Sequence, residues 1–171
     1  MSTSVRGLDQ IIREHPWFAG LAPEDLELLV GCAKNERFEA GQFLYRENQP
    51  ADRFFVIRHG TVRLELFAEG RGPLPILTVR EGDVLGSAWI VPPYRAGCDA
   101  RALELVRAVS FDGPCMRGKC EADPRLGYEL LRRSVVTLVE RLMLTRLQLL
   151  DLYGGAADGR RTEGHRGRRE R

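Results

Sequence analysis

Residues 53–67 read Arg53-Phe54-Phe55-Val56-Ile57-Arg58-His59-Gly60-Thr61-Val62-Arg63-Leu64-Glu65-Leu66-Phe67. Two apolar runs rich in aromatic and β-branched residues are divided by His59-Gly60. In the second run Val62, Leu64 and Leu66 alternate with Arg63 and Glu65. That period of two marks a strand with one buried and one wet face, and the glycine between the runs predicts a β-hairpin.

The same texture extends outward from Glu36 to about Phe111. Upstream, Phe38, Phe43 and Leu44 flank Gly41, and Asn48-Gln49-Pro50 punctuates before Arg53. Downstream, a polar tip at Glu69-Gly70-Arg71-Gly72-Pro73 leads to a strand at Ile76-Leu77-Thr78-Val79. Leu103 to Val109 supplies a last strand, with Leu103, Leu105 and Val109 on one face. Short strands at regular spacing predict a sandwich or barrel rather than βαβ units.

Both flanks are helical in pattern. Leu8, Ile11 and Ile12 recur at helical spacing, and a second helix starts at Pro23-Glu24-Asp25 with proline early and carboxylates in the first turn. Trp17, Phe18 and Leu21 between them are apolar enough to anchor the linker to a core. The chain becomes helical again at Asp112, and Asp123-Pro124 opens a long helix that runs to Tyr153, with Gly154-Gly155 as its stop. Along it Leu131, Val135, Leu138, Leu142, Thr145, Leu149 and Leu152 repeat at alternating spacings of four and three. Val136, Val139, Met143, Leu147 and Leu150 form a second line beside them. Two apolar lines suit a helix that meets a partner, so a parallel homodimer through residues 124–153 is expected.

The expected fold class is therefore α+β: an antiparallel β-roll, a jelly-roll-like barrel over about 36–111, with N-terminal helices and a long C-terminal dimerisation helix. Residues 1–153 form the domain, and 154–171 form a disordered basic tail.

Hydrophobic residues at 43% and charged residues at 29% exclude a wholly disordered chain. No apolar run is long enough to cross a bilayer and the first residues lack the apolar core of a signal peptide, so no membrane association and a cytoplasmic location are expected. The net charge of +2 is unevenly placed: residues 154–171 carry six arginines against three acids, a net of +3, which leaves the body at −1. A near-neutral body lacks the clustered cations of a nucleic-acid-binding face, so nucleic acid is expected to be touched at most weakly, through the tail.

Cys32, Cys98, Cys115 and Cys120 have no C-x-x-C spacing and His15, His59 and His165 are scattered, so no metal site is expected. Reduced, partly buried thiols are the reading that fits a cytoplasmic chain. No nucleophile, base and acid can be picked out by spacing, and no phosphate loop is present. His15 is read as capping or packing the first helix. An enzyme is not expected.

In this order and spacing, five pieces resemble the cyclic-nucleotide-binding domain shared by catabolite activator proteins, regulatory subunits of cyclic-nucleotide-dependent kinases and cyclic-nucleotide-gated channels. They are His15-Pro16-Trp17-Phe18 with Gly20-Leu21, Glu39-Ala40-Gly41-Gln42, Tyr45-Arg46-Glu47-Asn48-Gln49-Pro50-Ala51, the run from Phe54 to Val62, and Glu81-Gly82-Asp83-Val84-Leu85-Gly86. The resemblance covers about residues 15–153. Asn48 stands where the family has glycine, and asparagine is the residue that best tolerates the left-handed region.

The resemblance implies a ligand loop between Gly82 and Glu104, taking cAMP, cGMP or another small anion. In the family a Gly-Glu pair in this loop meets the ribose and a later arginine meets the cyclic phosphate. Here Gly86 matches the glycine and Ser87 stands at the glutamate. Counting back from Ala102-Leu103-Glu104 without a gap puts Ala96 at the arginine, with Arg95 one residue early; a one-residue shift restores Arg95. The candidate ligand-binding residues are Gly86, Ser87, Ala88, Tyr94, Arg95 and Ala96. Trp89-Ile90-Val91-Pro92-Pro93-Tyr94 is bulkier than the family loop, stiffened by two prolines and able to fill the pocket with its own side chains.

Many members of the family add a helix-turn-helix after the long helix. The 18 residues after Tyr153 are too few and too polar for one. The expected function is a non-enzymatic regulatory or sensor module that signals through its C-terminal helix. The alternative is a transcription-regulator-like protein that contacts nucleic acid or a protein partner through the basic tail.

Overall fold

The computed structural model describes residues 7–158, with side chains from 7 to 151. Helices α1 (Leu8–Glu14) and α2 (Pro23–Val30) precede eight strands, β1 (Ala33–Phe38), β2 (Phe43–Tyr45), β3 (Arg53–His59), β4 (Val62–Ala68), β5 (Gly72–Val79), β6 (Val84–Leu85), β7 (Asp99–Ala102) and β8 (Val106–Asp112). Helices α3 (Gly113–Ala122) and α4 (Pro124–Asp158) follow. The strands form two antiparallel four-stranded sheets, ordered β1-β8-β3-β6 and β2-β7-β4-β5. The chain divides into two compact units between Ser134 and Val135.

Two apolar cores hold the first unit. Phe55, Ile57, Leu85, Val106 and Ala108 of one sheet meet Leu44, Val62, Leu64, Ala100 and Ala102 of the other. On the far face of the first sheet, Phe54, Val56, Val109 and Phe111 pack against Ile12, Phe18, Leu29, Met116, Leu126 and Leu130 from the helices. β3 and β8 thus bury both faces, which explains the nearly unbroken apolar run Phe54 to Ile57. Phe18 and Leu21 are buried, and the Trp17 ring lies 4.8 Å from Phe54, so the linker is anchored as its composition predicts.

The predicted hairpin of residues 53–67 does not form. β3 and β4 lie in opposite sheets, and the hairpin is instead β4 with β5. The residues between them carry the chain across the roll against the backbone of Leu105: Gly60 has φ 88°, and a Cβ there would stand 2.3 Å from the Leu105 carbonyl oxygen. Glycine is required by the crossing rather than by a hairpin turn.

The alternation in β4 also fails after Leu64. Glu65 is 3% exposed whereas Leu66 and Phe67 are 40% and 69% exposed. The Glu65 carboxylate is gripped from β7 by both Arg101 Nε at 3.1 Å and Nη2 at 2.5 Å, so the predicted wet face is closed by an ion pair. That hydrogen-bonded carboxylate holds the Arg101 guanidinium above its already high range.

The last strand begins at Val106 rather than Leu103 and reaches Asp112, with Val106, Ala108, Val109, Ser110 and Phe111 buried and Leu103 in an exposed turn.

The helix caps follow the sequence. Asp112 Oδ1 accepts from Cys115 N at 2.7 Å and Asp123 Oδ1 from Leu126 N at 3.3 Å, each with proline in the first turn behind it. Arg125 reaches back to the buried Asp25 of α2 with two bonds of 2.8 and 3.0 Å. His15 Nδ1 accepts from Trp17 N, which leaves the proton on Nε2 to donate to the Gly82 carbonyl at 3.1 Å. It packs the N-terminal segment, and burial lowers its pKa against the opposing pull of Gly82 and Asp83.

Two further expectations are corrected. α4 does not stop at Gly154-Gly155 but continues to Asp158, so the first residues of the predicted tail are helical; the remainder of the tail lies outside the described residues. The cysteines are not all reduced: Cys32 and Cys115, with Cα atoms 5.8 Å apart, are joined in a disulfide. The β1–β8 pairing of Ala33 with Phe111 brings the two positions together across 83 residues, a proximity that no C-x-x-C spacing announces. Cys98 and Cys120 stay reduced. Among the described residues no helix is long and apolar enough to cross a membrane.

Candidate functional site

The candidate loop leaves the first sheet at β6, where Val84 and Leu85 pair with Val56 and Phe55. Gly86 follows with φ 88° and ψ 28°, and a Cβ on it would stand 2.6 Å from the Arg53 carbonyl oxygen. The backbone of β3 therefore demands glycine here whether or not a ligand approaches. A single 3-10 turn, Ser87–Ile90, comes next. Its Trp89 side chain is fully buried in the core beneath the helices, 6.3 Å from the Phe54 ring. Neither Trp89 Nε1 nor the buried Ser87 Oγ has a hydrogen-bond partner.

The far end of the loop is laced to residues 48–51. Ala51 N donates to the Tyr94 carbonyl at 2.7 Å, Ala96 N to the Gln49 carbonyl at 2.9 Å, and Asn48 N to the Ala96 carbonyl at 2.8 Å. Asn48 has φ 62°, the left-handed conformation that its place in the glycine pattern predicts. In this lacing Ala96 is buried at 6% exposure, while Arg95 is exposed and donates through Nη1 to the Asn48 carbonyl at 2.7 Å. The structure thus places Arg95 on the surface, tied to a backbone oxygen, and a methyl group at the buried position beside it.

Arg117 of α3 holds the two ends of the loop together. Its Nη1 donates to the Trp89 carbonyl at 2.8 Å and its guanidinium lies 4.3 Å over the Tyr94 ring. Sequence reasoning missed it because α3 carries no pattern that separates a loop-binding arginine from a solvated one. Ser87 and Ala88 start the loop and Tyr94, Arg95 and Ala96 end it, and of these only Tyr94 is drawn to Arg117. Position 87 thus offers a hydroxyl and position 96 a methyl group, and Arg95 between Tyr94 and Ala96 is held by the Asn48 carbonyl.

The match to known proteins follows this geometry. Residues 35–123 match the model of the cyclic nucleotide-binding domain. A CRP-like cAMP-activated global transcriptional regulator of Mycobacterium tuberculosis is 29% identical over 154 residues, which is 90% of this chain and 66% of that one. The chain thus spans just under two thirds of that relative. A putative cyclic nucleotide-binding protein of Geobacter metallireducens superimposes with a TM-score of 0.72 at 26% identity, over 80% of this chain and 99% of that one. The catabolite activator protein of Thermus thermophilus shares the fold at a TM-score of 0.61 and 20% identity, over 81% of this chain and 63% of that one. With its two-sheet roll, its flanking helices and the matched segment spanning most of the strands, the chain belongs to the cyclic nucleotide-binding domain family.

Proposed function

We propose that the chain is a non-enzymatic regulatory module that signals as a parallel homodimer through α4, with a loop that has lost the family's grip on cyclic nucleotides. The observation that carries this reading is the uncovered apolar surface of α4. Val136, Leu142 and Leu150 are 54%, 50% and 66% exposed, and Val135, Leu138, Val139, Met143, Leu147 and Leu149 are exposed beside them. Leucine and valine at alternating spacings of three and four form the seam that a second identical helix fills. The Leu152 side chain lies outside the described residues. Light scattering at micromolar concentration should give twice the chain mass, and Leu138→Glu/Leu142→Glu should give a folded monomer. A monomeric parent chain overturns the dimer.

Support for the altered loop comes from Ser87, Ala96 and the outward Arg95. Each lost charge-assisted contact weakens binding by about ten- to a hundredfold, so cAMP and cGMP are held poorly. A ligand at a hundred times its dissociation constant adds about 2.7 kcal/mol of stability. Neither nucleotide at millimolar concentration is therefore expected to move the unfolding temperature by several degrees, and such a shift with either one overturns this part of the proposal. Arg117 offers the route by which another small anion at the loop would be felt in α3 and thence in α4, because occupancy shifts the helices only if one arrangement binds better.

A further inference from the structure

We infer that the Cys32–Cys115 disulfide is a reversible thiol-exchange site and that its state governs how firmly the loop from Gly86 to Ala96 is held. The bond ties the start of β1 to the first turn of α3. Around it the backbone is already joined, Asp112 N to the Cys32 carbonyl and Gly113 N to the Asp52 carbonyl, each at 2.8 Å. Two residues beyond Cys115 is Arg117, which holds the Trp89 carbonyl and covers the Tyr94 ring. Arg53, next to Asp52, presents its carbonyl to Gly86. The disulfide therefore fixes the one turn of α3 from which both ends of the loop are gripped.

The site is open to a reagent. Cys32 and Cys115 both line a cavity of about 320 Å³, together with Lys34, Arg53, Ser110 and Asp112. That volume admits a small dithiol. Cys115 is the more exposed of the pair, whereas burial pushes the reduced Cys120 thiol up and makes it a poor competitor.

The exchange balances with a dithiol as the reductant. One of its thiolates attacks the Cys115 sulfur, the S–S bond breaks, and Cys32 leaves as a thiolate and takes a proton. The second thiol of the reductant then attacks the mixed disulfide, frees Cys115 and closes the reductant to its own disulfide. Two electrons and two protons pass to the protein. In compartments where thiols are kept reduced, disulfides are transient and redox-responsive rather than permanent staples, and a bond reached through a cavity suits that use. The inference stands on the disulfide and α3 alone, whether or not a nucleotide binds.

The test treats the full-length folded chain with dithiothreitol, alkylates it without denaturant, and maps the label by mass. Cys32 and Cys115 should become labelled only after reduction, and oxidised dithiothreitol should restore the bond. Opening a loop of this length should lower the unfolding temperature by about 5–15 °C. Amide hydrogen exchange in peptides covering residues 86–96 should quicken on reduction while the β4–β5 hairpin is unchanged. Cys32→Ala/Cys115→Ala should exchange fast in the same loop and ignore dithiothreitol. Label on Cys32 or Cys115 before any reductant is added, or a disulfide untouched by dithiothreitol in the folded chain, would overturn the exchange site. Release of both thiols with unchanged exchange at residues 86–96 would overturn the hold on the loop.

Discussion

Replacing Trp89 with alanine is expected to destabilise the fold by about 3–5 kcal/mol, the usual cost of deleting a large buried aromatic side chain. The size follows from its position: the ring is fully buried among Phe54 and the helical core. Because Trp89 Nε1 has no hydrogen-bond partner, Trp89→Phe removes an unsatisfied buried donor along with some packing, so its cost should stay below about 1.5 kcal/mol. Urea unfolding followed by circular dichroism, with Val91→Ala as an exposed control in the same loop, measures all three. A loss under about 1 kcal/mol for Trp89→Ala would mean that the loop is not pinned by this ring.

Gly60→Ala should be as damaging, by a different cause. Gly60 and Gly82 have almost the same φ, 88° and 87°, but a Cβ on Gly82 meets nothing within 4 Å whereas one on Gly60 stands 2.3 Å from a carbonyl oxygen. Gly82→Ala thus measures the left-handed backbone cost alone, about 1 kcal/mol. Gly60→Ala adds the displacement of a backbone that cannot swing aside, for a total of about 3 kcal/mol or more. Paired unfolding measurements decide the matter, and equal losses at the two sites would refute the tight crossing.

The contrast between these glycines marks how far the sequence could be read. Local chemistry was legible wherever one residue type answers one backbone need: Asn48 in the left-handed region, Asp123 as a cap, proline opening α2 and α4. Strand spacing pointed to a sandwich or barrel, the apolar lines after Asp123-Pro124 to the long helix, and the family resemblance to the same roll. Pairing was not legible, because a strand's period of two says which face is buried and not which strand lies beside it. Hence the hairpin drawn through Gly60, which in the structure crosses between sheets. Hence too Glu65, whose burial depends on Arg101, 36 residues away. The Cys32–Cys115 bond and the grip of Arg117 belong to the same class, since each joins residues that only the finished β1–β8 and α3 packing brings together.

The candidate site was half legible. Ser87 at the glutamate position could be read directly. The choice between Arg95 and Ala96 could not, because an ungapped count and a one-residue shift fit the sequence equally. The hydrogen bonds between residues 94–96 and 48–51 bury Ala96 and leave Arg95 exposed, with its guanidinium on the Asn48 carbonyl.

The sheet order β1-β8-β3-β6 bears on how the chain can acquire its structure in time. β8 lies between β1 and β3, so the strand that completes the first sheet is the last strand to be made. Until Val106 to Asp112 has left the ribosome, β1 has no neighbour in its sheet and β3 has only the two-residue β6. A nascent chain must therefore carry one edge of β3 unpaired through about fifty residues of synthesis, and the topology makes this a fold of late closure with a long period of exposure to wrong strand partners.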